Sequence, residues 1–224
     1  MIPALIIWLC KKYIAPRIHK RSLLRKATAL KIQVMTVVFI AVASQLPAQS
    51  QSSSKYNIKR NGEVIGQLYF NQKEDGNNTF LKITSKVNTR FVFKIDVETE
   101  DVAHFKNGRL ISSGVNRIVN GDPKEFKKTS LQNEIYQTQA GKKTGTLKKS
   151  INYSMMLLYS KEPVNETEIY SDNFQCFVPV EKKGKHQYRI TLPDGNYNDY
   201  QFEDGICKTV TVNHSMYTIK MERV

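Results

Sequence analysis

The sequence predicts an all-β protein: an antiparallel curved sheet, closed as a barrel or left open as a half-barrel, with one short buried helix inserted. Three observations carry this prediction. Asn-Gly occurs at Asn61-Gly62, Asn107-Gly108 and Asn120-Gly121, and Asp-Gly at Asp75-Gly76, Asp194-Gly195 and Asp204-Gly205. Such pairs tolerate the positive φ that a two-residue type I′ turn needs at both central positions, so they mark tight hairpins. The segments around them alternate apolar and polar residues, the period of a strand with one buried face. A single stretch, 152–160, breaks that rhythm with a compact apolar run.

Residues 49–54 (Gln-Ser-Gln-Ser-Ser-Ser) read as a disordered polar leader. A single β-barrel-like domain is expected over 55–224. Its first strand is 55–60, turned by Asn61-Gly62 into 63–72, with Val64, Gly66, Leu68 and Phe70 on one face. Strand 79–87 puts Leu81, Ile83, Ser85 and Val87 together. Strand 90–98 puts Phe91, Phe93, Ile95 and Val97 opposite Arg90, Lys94, Asp96 and Glu98. Strands 102–106 and 109–119 flank Asn107-Gly108. The more polar strands 124–129, 133–139 and 144–149 read as peripheral. Six more strands follow, at 166–171, 174–180, 186–192, 197–203, 206–213 and 216–223. Between the two groups, Met155, Met156, Leu157 and Leu158 are good helix formers, closed off by Pro163, and apolar on nearly every side. About a dozen antiparallel strands tend to curl or close. A flat sandwich has little room for an apolar helix, whereas a concave sheet can hold one in or across its mouth.

Residues 1–48 differ from the rest. They hold eight Lys/Arg and no acidic residue, then the apolar run from Val34 to Ala43 and the small-residue exit Leu46-Pro47-Ala48. Basic region, short apolar core and small residue at the cut are the parts of a secretory signal. The core is far short of the ~20 residues that span a bilayer. Cleavage is expected after Ala48, with Ala43 as second choice. The early apolar run Met1 to Leu9 fits either a long signal or a translation start near Leu23 or Leu24. The full chain has 34 basic and 20 acidic residues, +14; without the first 48 residues the balance is 26 to 20, +6. A mild, dispersed excess argues solubility, and no recognition helix or aromatic-basic platform accompanies it, so nucleic acid is not an expected partner.

Cys10 lies in the leading segment, preceded by Leu9 rather than the small residue a lipoprotein signal carries. Cys176 and Cys207 remain. In an exported chain they fit either a disulfide or two small buried apolar residues.

The later sequence has a recognisable pattern: Glu166-Thr167-Glu168-Ile169-Tyr170, Phe174-Gln175-Cys176-Phe177-Val178-Pro179-Val180 and Leu192-Pro193-Asp194-Gly195-Asn196-Tyr197. With the signal and the apolar helix ahead of it, this pattern resembles an exported family of Gram-negative bacteria known only as a domain of unknown function. The resemblance covers about residues 55–224. In overall build it is similar, more distantly, to the periplasmic lipoprotein-carrier half-barrels, which implies acyl-chain binding in a concave cavity beneath helices. Neither resemblance supplies functional residues.

The chemistry-bearing residues are sparse. His104, His186 and His214 lack the close His or Cys neighbours of a compact metal site and read as structural or surface histidines. G-x-S-x-G is absent, and Gly141-Lys142-Lys143-Thr144 fails as a phosphate loop because Tyr136 replaces its first glycine. Lys142, Lys143, Lys148 and Lys149 form a basic stretch that reads as a solvated face or a contact for acidic lipid headgroups. Asp194, Asp199, Glu203 and Asp204, among Tyr197, Tyr200 and Phe202, fit either two hairpin turns or a sugar or cation site. No catalytic residue, metal site or cofactor is expected. The feature with functional reach is the Met-rich helix, since flexible Met side chains adapt to varied apolar shapes. Capping a cavity, Met155, Met156, Leu157 and Leu158 would line it with Phe91, Phe93 and Ile95; otherwise the same residues fill the core. The leading expectation is an exported, periplasmic or outer-envelope, non-enzymatic barrel that binds a lipid or other apolar molecule. The alternative is an envelope structural or protein-interaction module without ligand. An envelope hydrolase comes third, since it needs a polar cleft joining residues far apart in sequence.

Overall fold

The computed structural model describes residues 49–90 and 94–224. The predicted secretory segment, and with it Cys10, lies outside the described residues, as do Phe91 and Phe93. A first meander comprises β1 (Gln49–Arg60), β2 (Glu63–Asp75), β3 (Asn78–Arg90), β4 (Lys94–Lys106), β5 (Arg109–Val119), β6 (Asp122–Gln132), β7 (Ile135–Ala140) and β8 (Lys143–Leu147). A second comprises β9 (Glu168–Ser171), β10 (Cys176–Gly184), β11 (Gln187–Thr191), β12 (Tyr197–Glu203), β13 (Ile206–His214) and β14 (Tyr217–Arg223). Between them lies a 3-10 helix, Met155–Tyr159. The strands form one antiparallel curved sheet in the order β8-β7-β6-β5-β4-β3-β2-β1-β14-β13-β12-β11-β10-β9. The meanders join through β1 and β14, with Tyr56 opposite Arg223 and Ile58 opposite Met221. The sheet stays open, with β8 and β9 as its edges.

The turn dipeptides act as their chemistry dictates. Asn61-Gly62, Asn107-Gly108, Asn120-Gly121 and Asp204-Gly205 take positive φ at both residues. Asn133 (φ 47°) and Glu134 (φ 66°) make the same kind of turn between β6 and β7 without a glycine, which left no signal in the sequence.

Two expectations are corrected. Residues 49–54 are not a disordered leader: they form the first half of β1, paired from Gln49–Asp75 through Ser54–Phe70 with β2. Their polarity reflects two exposed faces, because ladder hydrogen bonds do not require apolar side chains. Residues 90–98 and 102–106 are not two strands. β3 ends at Arg90, which lies opposite Lys94, and β4 runs unbroken from there through Thr99, Glu100 and Asp101 to Lys106.

One face of the sheet carries the core. Tyr56, Ile58, Leu68, Phe70, Leu81, Ile83, Ala103 and Phe105 supply it from β1 to β4, and Tyr188, Ile190, Tyr200, Phe202, Val210 and Met221 from the second meander. The 3-10 helix plugs this concave face. Tyr159 meets Tyr56 edge-on at 5.3 Å between ring centres and stacks on Phe70 at 5.7 Å, and its hydroxyl lies 3.9 Å from the Met221 sulfur. Leu158 is fully buried. Tyr136 Oη anchors the segment leading to the plug, donating to the Leu110 carbonyl at 2.9 Å and accepting from the Ile151 N–H at 3.3 Å.

Side chains, rather than a ladder, hold the far end of the sheet to the first meander. Thr129 of β6 shares a buried 2.8 Å hydrogen bond with the Tyr170 hydroxyl of β9. The Gln175 amide reaches the Lys128 carbonyl at 2.9 Å and the Gln139 carbonyl at 3.2 Å. Gln175→Ala leaves both carbonyls without that donor and is expected to cost about 1–2 kcal/mol. Circular dichroism during urea unfolding checks this; an unchanged midpoint would mean the Gln175 contacts contribute nothing to stability.

Candidate ligand cavity

On β4, strand alternation puts Val97, Thr99, Asp101, Ala103 and Phe105 on the core side. Asp101 therefore points a carboxyl where an apolar residue is the rule, flanked by Ile83 of β3 and Val115 of β5. Arg117, two residues beyond Val115, shares that face. Asp172 follows β9 in a turn held by the Gln175 N–H donating to the Ser171 carbonyl at 2.7 Å and the Phe174 N–H to Ser171 Oγ at 3.3 Å. Asn198 of β12 faces inward between Ile190 and Val212.

These four polar residues surround a cavity of about 260 Å³. Its walls are otherwise largely apolar: Leu68, Ile83, Val115, Met155, Met156, Tyr159, Phe174, Leu192, Tyr200 and Met221. The sheet supplies its floor, the plug one wall and the β9–β10 turn another.

The electrostatics are unusual for an interior. Asp172 is 5% exposed, and neither of its carboxyl oxygens has a hydrogen-bond partner. Asp101 Oδ1 and Asn198 Oδ1 are buried and unpartnered as well. Burial pushes the Asp172 carboxyl up to about 6, with the Ser113 and Ser154 hydroxyls nearby pulling it back without meeting it in hydrogen-bond geometry. Burial, and after it the Asp172 charge, pushes Asp101 up to about 7, with Arg117 pulling the other way. The nearby cations are engaged elsewhere: Arg117 lies 3.5 Å from Glu125, and Lys127 pairs with Glu125 at 2.5 Å and donates to Asn173. Among the described residues no group of three or more His, Cys, Asp or Glu stands ready to hold a metal.

The residues singled out in the sequence are distributed as follows. Met155 and Met156 line the cavity. Leu158 is buried in the core and Leu157 packs half-buried against it, because four consecutive residues in a helix of three residues per turn cannot all face one side. Ile95 sits on β4 six residues from Asp101, about 20 Å along the strand, and is not part of the lining. Cys176 and Cys207 are free thiols. Cys207 is fully buried on β13 and Cys176 half-buried on β10, with β11 and β12 between, so the disulfide is replaced by two separate packed thiols. Three strand spacings come to about 14 Å, twice what a disulfide bridges.

The acidic cluster does not assemble into a site. Asp199 is held by Arg189 in two bonds of 2.7 and 2.9 Å, Asp194 accepts from Asn196, and Tyr200 and Phe202 are core. His104 stacks on Phe80, His214 on Tyr217, and His186 Nδ1 lies 3.0 Å from Glu162. Lys149 pairs with Glu168 and covers the Phe177 ring, while Lys142, Lys143 and Lys148 are exposed. A wider groove of about 860 Å³ runs along β2–β5, mainly over the face opposite the core. Its Lys86 and Glu98 satisfy each other at 2.7 Å, and among the described residues no unpartnered buried group lines it.

Fold and cavity together define a class: an open antiparallel half-barrel with a plugged concave face and a small, mixed apolar and acidic interior cavity. The chain belongs to a family described as a domain of unknown function, DUF6134, matched over residues 56–224. Among solved structures it is similar to the crystal structure of a beta-barrel-like protein of domain of unknown function DUF1849 from Brucella abortus. Identity is 9%, with 80% of this chain and 96% of that one covered, at a TM-score of 0.52. No curated protein matches. A family of unknown function and a distant barrel-like similarity are what the sequence pattern implies.

Proposed function

We propose that this protein is an exported, non-enzymatic binding protein that holds a small amphiphilic molecule, a short lipid or another apolar compound, between its plug and the β4–β5 wall. The observation that carries this reading is the cavity: a half-open hollow between plug and sheet whose buried polar groups are left unpaired, which is costly. At about 260 Å³ it lies just under the roughly 300–1,000 Å³ of typical ligand sites, which suits a compact ligand. Export is supported by the basic, apolar and small-residue parts of 1–48 and by the compact unit spanning Ala48–Val224.

Native mass spectrometry of the protein isolated from the cells that make it, followed by solvent extraction, tests both parts. The expected result is a chain starting at Gln49 with a releasable apolar adduct. A bare mass on an intact fold would overturn the ligand reading in favour of an interaction module, to be pursued by crosslinking. A chain that retains residues 1–48 would overturn export. Turnover of simple esters or glycosides, abolished by Asp172→Asn, would replace binding by hydrolysis, since the cavity does join two carboxyls far apart in sequence.

A further inference from the structure

We propose that the molecule seated in the cavity carries a protonated amine, held between Asp101 and Asp172 with its apolar body against Met155 and Met156. This deepens the ligand reading above and rests on it.

The argument begins with a count of donors and acceptors. The unpartnered polar atoms around the cavity are Asp101 Oδ1, Asp172 Oδ1 and Oδ2 and Asn198 Oδ1, all acceptors, with one hydroxyl able to donate, Ser154 Oγ, beside Asp172. Asp172 is the decisive one. It is more than nine-tenths buried, lines the cavity, and neither oxygen meets a donor in hydrogen-bond geometry, the neighbouring donors being the Ser113 and Ser154 hydroxyls. A carboxylate held this way is normally protonated or paired, because an isolated buried charge is far more expensive than a neutral buried group. No cation of the protein acts on Asp172: Lys127 is held by Glu125 and Asn173, and Arg117, which also lines the cavity, lies 3.5 Å from Glu125 and acts on Asp101.

The missing complement is therefore a donor-rich, positively charged group of small size. An alkylammonium brings three N–H donors and one charge, and donates without accepting. A neutral hydroxyl brings one donor and no charge. A carboxylate or phosphate would add repulsion to two acidic groups. A divalent cation is poorly matched, since calcium takes six to eight oxygen ligands and magnesium a near-octahedral set. The apolar walls leave room for a hydrocarbon body.

The groups facing the two carboxyls also settle how binding responds to pH. Around Asp101 stand Asp172, Arg117, Glu125 and Glu100, and around Asp172 the neutral hydroxyls of Ser113 and Ser154. An ammonium placed there favours the ionised carboxyls, so binding releases protons near neutral pH and tightens as pH rises from about 5 to 8.

Three probes of equal hydrocarbon length decide the matter: hexylamine, 1-hexanol and hexanoate, measured by calorimetry on the full chain at pH 7.5. The expected order is hexylamine first, by about tenfold or more over hexanol, with hexanoate weakest. Repeated at pH 6.5, where the two carboxyls are still partly protonated, hexylamine binding should release protons, seen as a heat that changes with the ionisation enthalpy of the buffer. Asp172→Asn, and separately Asp101→Asn, should weaken hexylamine at least about tenfold and hexanol far less, so one variant remains informative if the other fails to fold. Equal binding of amine and alcohol, or tighter hexanoate, would overturn the amine and leave the cavity reading standing. Binding of none of the three would overturn both, leaving a cavity filled by water alone.

Discussion

Raising the pH from about 4 to about 7 is expected to weaken the fold by a few kcal/mol. Asp101 and Asp172 hold their protons to about 7 and about 6 in the folded protein, against 3.8 for an ordinary aspartate. Between those values the folded state binds more protons than the unfolded state, so stability falls with pH, by at most about 1.4 kcal/mol per pH unit for each proton withheld. The loss is complete once pH exceeds the higher folded value. Glu222 acts in the opposite direction and lower on the scale. Lys220 and Lys59 hold it down to about 2 from 4.5, so its contribution is present above the ordinary glutamate value and lost as pH falls below it. Stability should therefore peak in acid, near pH 4. Urea unfolding at half-unit pH steps measures the profile, and Asp101→Asn with Asp172→Asn should flatten its neutral side. A profile that rises steadily to pH 7 would show both carboxyls to be solvated or paired.

Gly66→Ala is expected to cost about 3 kcal/mol or more, near the upper end of what overpacking costs. A Cβ at Gly66 would stand 2.2 Å from the Lys86 carbonyl oxygen and 2.8 Å from the Val87 Cα. Both are backbone atoms of β3, so no side chain can swing away; β2 and β3 must separate. The register of β1 on β2 also shifts there, between Ile58 and Lys59, with Ile58 opposite Gly66. Gly114→Ala is the control. Its nearest neighbours would be the Val102 side chain at 3.4 Å and the Lys127 carbonyl at 3.8 Å, ordinary contacts. It should be within about 1 kcal/mol of the parent, on either side. Equal unfolding midpoints for the two variants would mean that the close approach at Gly66 is not real.

Much of the architecture was legible because it is local. Turn dipeptides fixed hairpin positions, and alternation in segments such as Leu81-Lys82-Ile83 fixed which side chains face the core. The first half of β1 was missed because Gln-Ser-Gln-Ser-Ser-Ser pairs through its backbone alone, and backbone pairing writes nothing into composition. The turn at Asn133-Glu134 was missed because it lacks the glycine that makes such turns visible. The cavity was legible on one side only. Met155 and Met156 stood out as an adaptable apolar pair. Asp101 and Asp172 did not: the first fell between the expected strands 90–98 and 102–106 and the second between 166–171 and 174–180. Both readings follow from the rule that charge belongs outside. Their burial depends on β4, β5, β12 and the β9–β10 turn meeting across more than a hundred residues of chain, which no local window contains. A carboxylate on the core-side parity of an otherwise alternating strand was the available signal, and Asp101 carries it.

The strand order has a consequence for how the molecule comes into being. Each meander is built from neighbours in sequence and can zip up from its own hairpins. The seam between them, β1 against β14, joins residues more than 150 apart, and the Val224 N–H closes it by donating to the Lys55 carbonyl at 2.9 Å. Such distant pairings form late and slowly, after the loop entropy has been overcome. Until then each meander exposes an unpaired inner strand, the kind of edge that recruits strangers. During synthesis the first eight strands wait for the last one to emerge. Assembly should thus run in two phases, a fast one for the hairpins and a slow one for the seam, with aggregation competing only in the interval between them.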